Sequence, residues 1–258
     1  MQLERRDLST HSLWLVYRDG VPVGVTPNFK HALQGRLNPS EELITLAQNS
    51  PLQTPTAPSK IICIGLNYRK HAEEMNKEIP AEPLIFSKPP SAILNPDGTI
   101  LRPPESQEVH YEGELAIVIG ERCRRVPKEE AHRVIAGYTL LNDVTARDLQ
   151  RRDVQYTRGK GFDTFAPFGP RIVQGLDPKQ LHITLRVNGE VRQSSPVSDM
   201  IFSVEELIAH VSNAMTLEPG DIIATGTPSG VGELHAGDVV EVEIPEIGVL
   251  RNVVADEA

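Results

Sequence analysis

His110-Tyr111-Glu112-Gly113-Glu114-Leu115-Ala116-Ile117-Val118-Ile119-Gly120 reads as a β-strand, because a β-rich apolar run is bounded by glycine. Side chains on a strand alternate between faces, so Glu112 and Glu114 are expected to point the same way. Two neighbouring carboxylates repel each other and resist burial. A third acid closes another apolar run, Tyr138-Thr139-Leu140-Leu141-Asn142-Asp143. One reading is an oxygen-ligand site for Mg²⁺, Mn²⁺ or Ca²⁺, since a hard cation removes the repulsion. The other is an edge strand whose glutamates face water. The strand pattern alone leaves both open.

The surrounding 258 residues are enough for one large domain, or for a domain with a small appendage. A net charge of -9 argues against nucleic acid or an anionic membrane as the partner. Cys63 and Cys123 have no Cys-x-x-Cys spacing or paired histidines nearby, so they read as reduced thiols of a cytoplasmic protein. The first apolar run, Leu13 to Val16, is too short for a secretion signal. No stretch approaches membrane-spanning length.

Ser12–Tyr17 and Val21–Val25 are predicted strands of a hairpin turning at Asp19-Gly20. A helix is predicted from Pro39 to Gln48, capped by Asn38 with Glu41 completing a capping box. The Pro/Thr/Ser run from Ser50 to Ser59 reads as a linker. The expected division is therefore a small N-terminal domain at 1–57 and a catalytic domain at 58–258. Beyond the linker, strands are expected at Lys60–Gly65, Leu84–Ser87, Ala136–Asn142, His182–Val187, Glu190–Gln193, Asp221–Thr225 and Val239–Ile244. Helices are expected at Tyr68–Asn76, Lys128–Val134 and Ser203–Val211, the last with a Ser203/Glu206 capping box. Strands and helices do not alternate regularly, which points to an α+β class with mixed, mainly antiparallel sheets.

Several residue pairs have chemical potential. On a helix over 68–76, His71 and Glu74 share a face, and a carboxylate beside an imidazole makes a base for drawing a proton from water; a solvated helix face gives the same spacing. Arg147 would lie near Asp143, with Gln150 one turn on, if residues 143–150 are helical. Glycines flanking Lys160 let the backbone turn that lysine inward; a solvated lysine in a glycine-rich loop is the other reading. Thr225-Gly226-Thr227-Pro228-Ser229-Gly230-Val231-Gly232 exposes backbone N–H groups suited to a substrate carboxylate, and lacks the lysine of a phosphate-binding loop. No Gly-x-Ser-x-Gly elbow is present.

Together these segments resemble the fumarylacetoacetate hydrolase family over roughly residues 58–258. The resemblance rests on Gly65-Leu66-Asn67-Tyr68 with His71 and Glu74, on Tyr111-Glu112-Gly113-Glu114-Leu115, and on Asn142-Asp143-Val144-Thr145-Ala146-Arg147-Asp148 with Gln150. Gly159-Lys160-Gly161-Phe162-Asp163 and Pro219-Gly220-Asp221-Ile222-Ile223-Ala224-Thr225-Gly226-Thr227-Pro228 complete it, in family order. It implies a mixed β-roll, often a homodimer. It implies Mg²⁺ or Mn²⁺ on Glu112, Glu114 and Asp143, with His71, Glu74 and Lys160 catalytic and Arg147, Gln150 and Thr227 binding substrate. The His71 segment would act as a lid. The implied substrates are small 2-oxo acids or dicarboxylates. Hydrolysis of a C–C bond in a 2,4-dioxo acid ranks first, and isomerisation or decarboxylation of a 2-hydroxy-diene-dioate or oxaloacetate second. A silent binding homologue is a third reading. Gly161-Phe162-Asp163-Thr164-Phe165 is similar to members that act as isomerase/decarboxylases in aromatic catabolism. Arg151, Arg152 and Arg158 are either a dicarboxylate's partners or solvated.

Overall fold

A computed structural model describes residues 1–258. Its largest sheet is built almost wholly from antiparallel neighbours. In spatial order the main strands are Val21–Thr26, Ser12–Arg18, Gln2–Asp7, Ala166–Val173, Ile135–Asn142, Gly113–Ile119, Ile222–Ala224, Ile61–Gly65 and Leu84–Lys88. Only Ile222–Ala224 and Ile61–Gly65 run parallel on that path. A second sheet orders Glu190–Pro196, His182–Val187, Val239–Ile244, Gly248–Asp256 and Thr99–Arg102. A third, short sheet joins Thr145–Ala146, Val109–Tyr111 and Gly232–Glu233. Both large sheets feed one apolar core, from Ile117 and Leu140 on the first to Leu185 and Val242 on the second. Gly113 lets them approach, because a Cβ there would meet Leu185 at 3.1 Å and Val242 at 3.2 Å. The α+β class is as expected.

The helices are few and short: α1 (Phe29–Leu33), α2 (Glu41–Gln48), α3 (Arg69–Glu74), α4 (Arg147–Asp153), α5 (Thr157–Gly161) and α6 (Val204–Ala214). None is long and apolar enough to cross a membrane. The Ser203/Glu206 capping box opens α6 as expected. Three expectations need correction. Ser40, not Asn38, caps α2 and accepts the Leu43 N–H, while Asn38 accepts the Ser40 N–H and bridges to Val25. The segment Lys128–Arg133 winds as a 3₁₀-helix. The strand read through 110–120 is broken at Glu112, with Val109–Tyr111 in the short sheet and Gly113–Ile119 in the large one.

The N-terminal residues are joined to the rest by main-chain pairing. Gln2 and Leu3 pair with Val173 and Ile172, and Leu3 and Val16 belong to the main core. Within the Pro/Thr run, Leu52–Gln53 pairs with the first strand, and Thr54 and Thr56 are buried. The division at residues 57 and 58 is a proposal, and truncation tests it.

Candidate active site

The break at Glu112 places that residue where two sheets part. Its N–H donates to Asn142 Oδ1 at 2.9 Å, and its carbonyl accepts the Asp143 N–H at 2.8 Å. Glu114 follows on the large sheet, and its Oε2 accepts the Gly226 N–H at 2.8 Å. Gly226 lies at φ +99, and a Cβ there would press within 2.8 Å of Asn67. The turn from Thr225 therefore needs a glycine to deliver that N–H. One carboxylate oxygen from each of Glu112, Glu114 and Asp143 lies within 4.8 Å of the others, and all three residues are buried.

Cations surround this triad unevenly. Lys160 on α5 donates to Glu112 Oε2 and to Asp143 Oδ2, both at 2.7 Å. Arg147 on α4 donates to Glu112 Oε1, and its other amino group to Gln150 Oε1 at 2.6 Å. Lys88, fully buried at the end of its strand, donates to Asp143 Oδ1 and to the Val144 carbonyl at 2.9 Å. Glu114 has no cation beside it. Its burial, with Asp143 and Glu112 nearby, pushes its carboxyl well above the usual range. Burial opposes the ionisation of Glu112 too, but Lys160 and Arg147 outweigh it and hold that carboxyl well below the usual range. Burial likewise works against the Lys160 ammonium, and Asp143 and Glu112 overcome it and raise its pKa. For Lys88 burial prevails over Asp143, and the pKa is lowered.

These residues suit a divalent cation. Three buried carboxylates converge, one of them lacks a counter-charge, and two already cradle an ammonium group. An all-oxygen donor set matches Mg²⁺, Mn²⁺ or Ca²⁺ better than Zn²⁺.

Glu112, Glu114, Lys160, Arg147 and Gln150 line a cavity of about 400 Å³. His71 reaches it from α3. Its Nδ1 lies 3.1 Å from Glu74 Oε2, while Glu74 Oε1 accepts the Gly230 N–H at 2.9 Å. Glu74 is thus pinned from two sides behind the imidazole. Thr227 also lines the cavity, but its hydroxyl donates to the Gly113 carbonyl at 2.9 Å and accepts from Gln193 at 2.7 Å.

The structure brings all the expected residues to one place, with some changes of partner. Arg147 does not pair with Asp143, because α4 begins only at Arg147 and residues 145–146 are extended. The glycine-rich turn serves the chain's own acids, Glu114 and Glu74, rather than standing open to a ligand. Arg151 pairs with Glu108, and Arg152 and Arg158 pair with Asp153; of the three, Arg151 alone lines the cavity. Lys88 and Gln193 escaped the sequence reading. A lysine closing an apolar strand just before Pro89-Pro90 is the one local signal for Lys88.

Comparison with known proteins places the chain among relatives. An uncharacterized protein of Methanocaldococcus jannaschii is 61% identical over 200 residues, covering 78% of this chain and 84% of the relative. The mitochondrial oxaloacetate tautomerase FAHD2A of Bos taurus is 50% identical over 209 residues, covering 76% of this chain and 67% of the relative. The crystal structure of 5-carboxymethyl-2-hydroxymuconate delta-isomerase from Mycobacterium smegmatis superposes with a TM-score of 0.84 at 40% identity, covering 100% of both chains. The family profile described as fumarylacetoacetate (FAA) hydrolase C-terminal matches residues 60–255, and the chain belongs to that family.

Proposed function

We propose that this chain is a divalent-cation-dependent enzyme that moves a proton at C3 of a 2-oxo acid, interconverting its keto and enol forms. One observation carries the reading: His71, held by Glu74, faces the same cavity as Glu112, Glu114, Lys160 and Arg147. A cation held by Glu112, Glu114 and Asp143 would supply Lewis acidity for the negative charge on the 2-oxygen. Arg147 and Gln150, bonded to each other beside Glu112, orient the substrate carboxylate. Lys160 adds positive charge on the same side. His71 gives Nδ1 to Glu74, which leaves Nε2 to take or return the C3 proton. This chemistry also fits the oxaloacetate tautomerase and isomerase names that the relatives carry.

C–C bond hydrolysis of a 2,4-dioxo acid is the second reading. The two-sided anchoring of Glu74 favours it, because a fixed dyad is what activation of a water requires. One experiment separates the two. C3 deuterium exchange and enol decay are followed for oxaloacetate and 2-oxobutanoate with Mg²⁺ or Mn²⁺, and pyruvate release for an acylpyruvate. Exchange without release supports the isomerase reading, and release at a comparable rate supports the hydrolase. No exchange above buffer at saturating cation refutes the proposal.

A further inference from the structure

The chain turns one abrupt corner between α4 and α5, the two helices that carry Arg147, Gln150 and Lys160. Val154 sits there at φ 64, ψ −46, and the Gln155 N–H donates to the Asp153 carbonyl at 2.6 Å. This is the rare γ-turn with positive φ, strained for any L-residue and most of all for a β-branched one. Glycine would make the same turn without steric cost. Two braces hold the valine in place. Arg158 grips the Asp153 carboxylate with two N–H groups, Nε at 2.6 Å. Tyr156 sets its ring edge-on to Phe86, centroids 5.3 Å apart. Strain that the surroundings enforce in this way accumulates at functional sites.

The side chain so placed is 79% exposed and borders the mouth of the cavity. Met75, Leu84 and Phe86 line the cavity with it, as do Lys77 and Arg151, and the Lys160 ammonium lies 5.0 Å from the centre of the Phe86 ring. A volume of about 400 Å³ falls in the range that takes drug-sized ligands, more than a four-carbon acid fills. An apolar side chain left in water at strained cost has its natural partner in a ligand's carbon chain.

We propose that Val154 is a substrate-contacting specificity residue whose side chain packs against a carbon chain carried beyond C3, so that the site prefers medium-length 2-oxo acids with an apolar end. This rests on the reading above only in seating the 2-oxo acid head beside the acids and Lys160.

The test is calorimetric binding, with Mg²⁺ present, of 2-oxobutanoate, 2-oxohexanoate and 2-oxoadipate to the wild type, Val154→Ala and Val154→Gly. Wild type should bind 2-oxohexanoate roughly tenfold tighter than 2-oxobutanoate, the scale for burying two methylenes. Both variants should lose most of that preference. The melting temperature should rise in Val154→Gly alone, since only glycine relieves the turn. Three results overturn the inference: an unchanged chain-length preference in the variants, tighter binding of 2-oxoadipate than of 2-oxohexanoate, or no binding of any acid. The second would assign a distal carboxylate to Lys77 or Arg151 in the cavity wall. Tight binding without C3 exchange would instead sink the proposed reaction and leave the role of Val154 standing.

Discussion

Replacing Lys88 with methionine tests how the acidic cluster is held. Lys88 is 1% exposed and donates to Asp143 Oδ1 and to the Val144 carbonyl. Methionine has similar length but donates nothing, so Asp143 would keep Lys160 and lose its other cation. Breaking a buried ion pair by removing one partner costs about 3–5 kcal/mol. The low end applies, because burial already disfavours the Lys88 ammonium and its removal returns that cost. At about 2.1 cal/mol/K per residue, unfolding 258 residues carries about 0.54 kcal/mol/K, so about 3 kcal/mol lowers Tm by roughly 6 °C. Differential scanning calorimetry in chelator should read that loss. Mg²⁺ should then bind the variant more tightly than the wild type, since one repelling charge is gone. At free cation 100 times Kd, binding adds about 2.7 kcal/mol, enough to recover most of the loss. A variant as stable as the wild type in chelator, or one with weaker Mg²⁺ affinity, refutes the reasoning.

Three further outcomes are expected. His71→Ala should slow C3 proton transfer by roughly 10²–10⁴-fold while calorimetric Mg²⁺ affinity stays unchanged, because His71 is no ligand; near-normal exchange would remove it from the mechanism. The folded-state pKa of Glu114 is raised above its ordinary 4.5, so its stabilising effect is full below pH 4.5 and is lost as pH rises through the folded value. Melting curves in chelator should therefore decline from pH 5 towards neutrality more steeply in the wild type than in Glu114→Gln, and parallel curves would contradict the shift. Deleting residues 1–57 spares every candidate site residue but strips Ala166–Val173 of a neighbouring strand. The truncated chain should melt lower and self-associate in size-exclusion chromatography, whereas an equally stable monomer would show that the first 57 residues are separable.

The parts of the fold that were legible in the sequence are those whose cause is local. The hairpin at Asp19-Gly20 needs two positive φ angles, and the structure has 53 and 78 there. The cap of α6 needs only Ser203 and Glu206. Gln2–Asp7 gave no such sign. Its Gln-Leu-Glu-Arg-Arg-Asp buries only Leu3 and Glu4, and its partner strand begins at Ala166. That partner, Ala-Pro-Phe-Gly-Pro-Arg-Ile-Val, hides its strand character behind two prolines and a glycine. The first fifty residues consequently read as an appendage, although their first strand lies within the large sheet.

The site divides along the same line. His71 and Glu74 are three residues apart on one helix, and they pair; Arg147, expected beside Asp143, bonds instead to Gln150 three residues on. Glu112 and Glu114 converge with Asp143, although the strand expected to align the two glutamates is broken. Of the counter-charges, Lys88 was not legible, because a buried charge finds its partner through topology. Lys88 and Asp143 are 55 positions apart, and apart from its place closing an apolar strand before Pro89-Pro90 nothing in Leu84-Ile85-Phe86-Ser87-Lys88 separates a buried lysine from a solvated one. Yet those partners fix the sign of the ligand. Glu112, Glu114 and Asp143, once all ionised around a cation, would sum to zero against Lys88, Lys160 and Arg147. A divalent cation held among them would leave these six groups with two net positive charges. In the reaction proposed above, the carboxylate of a 2-oxo acid would supply one negative charge, and its enolate would supply the second as the C3 proton passes to His71. With the enolate bound, these six groups and the cation would be neutral and the transferred proton's charge would rest on His71 beside Glu74, so the cluster would favour the enolate over the bound keto acid, which is the condition for catalysing the proton transfer.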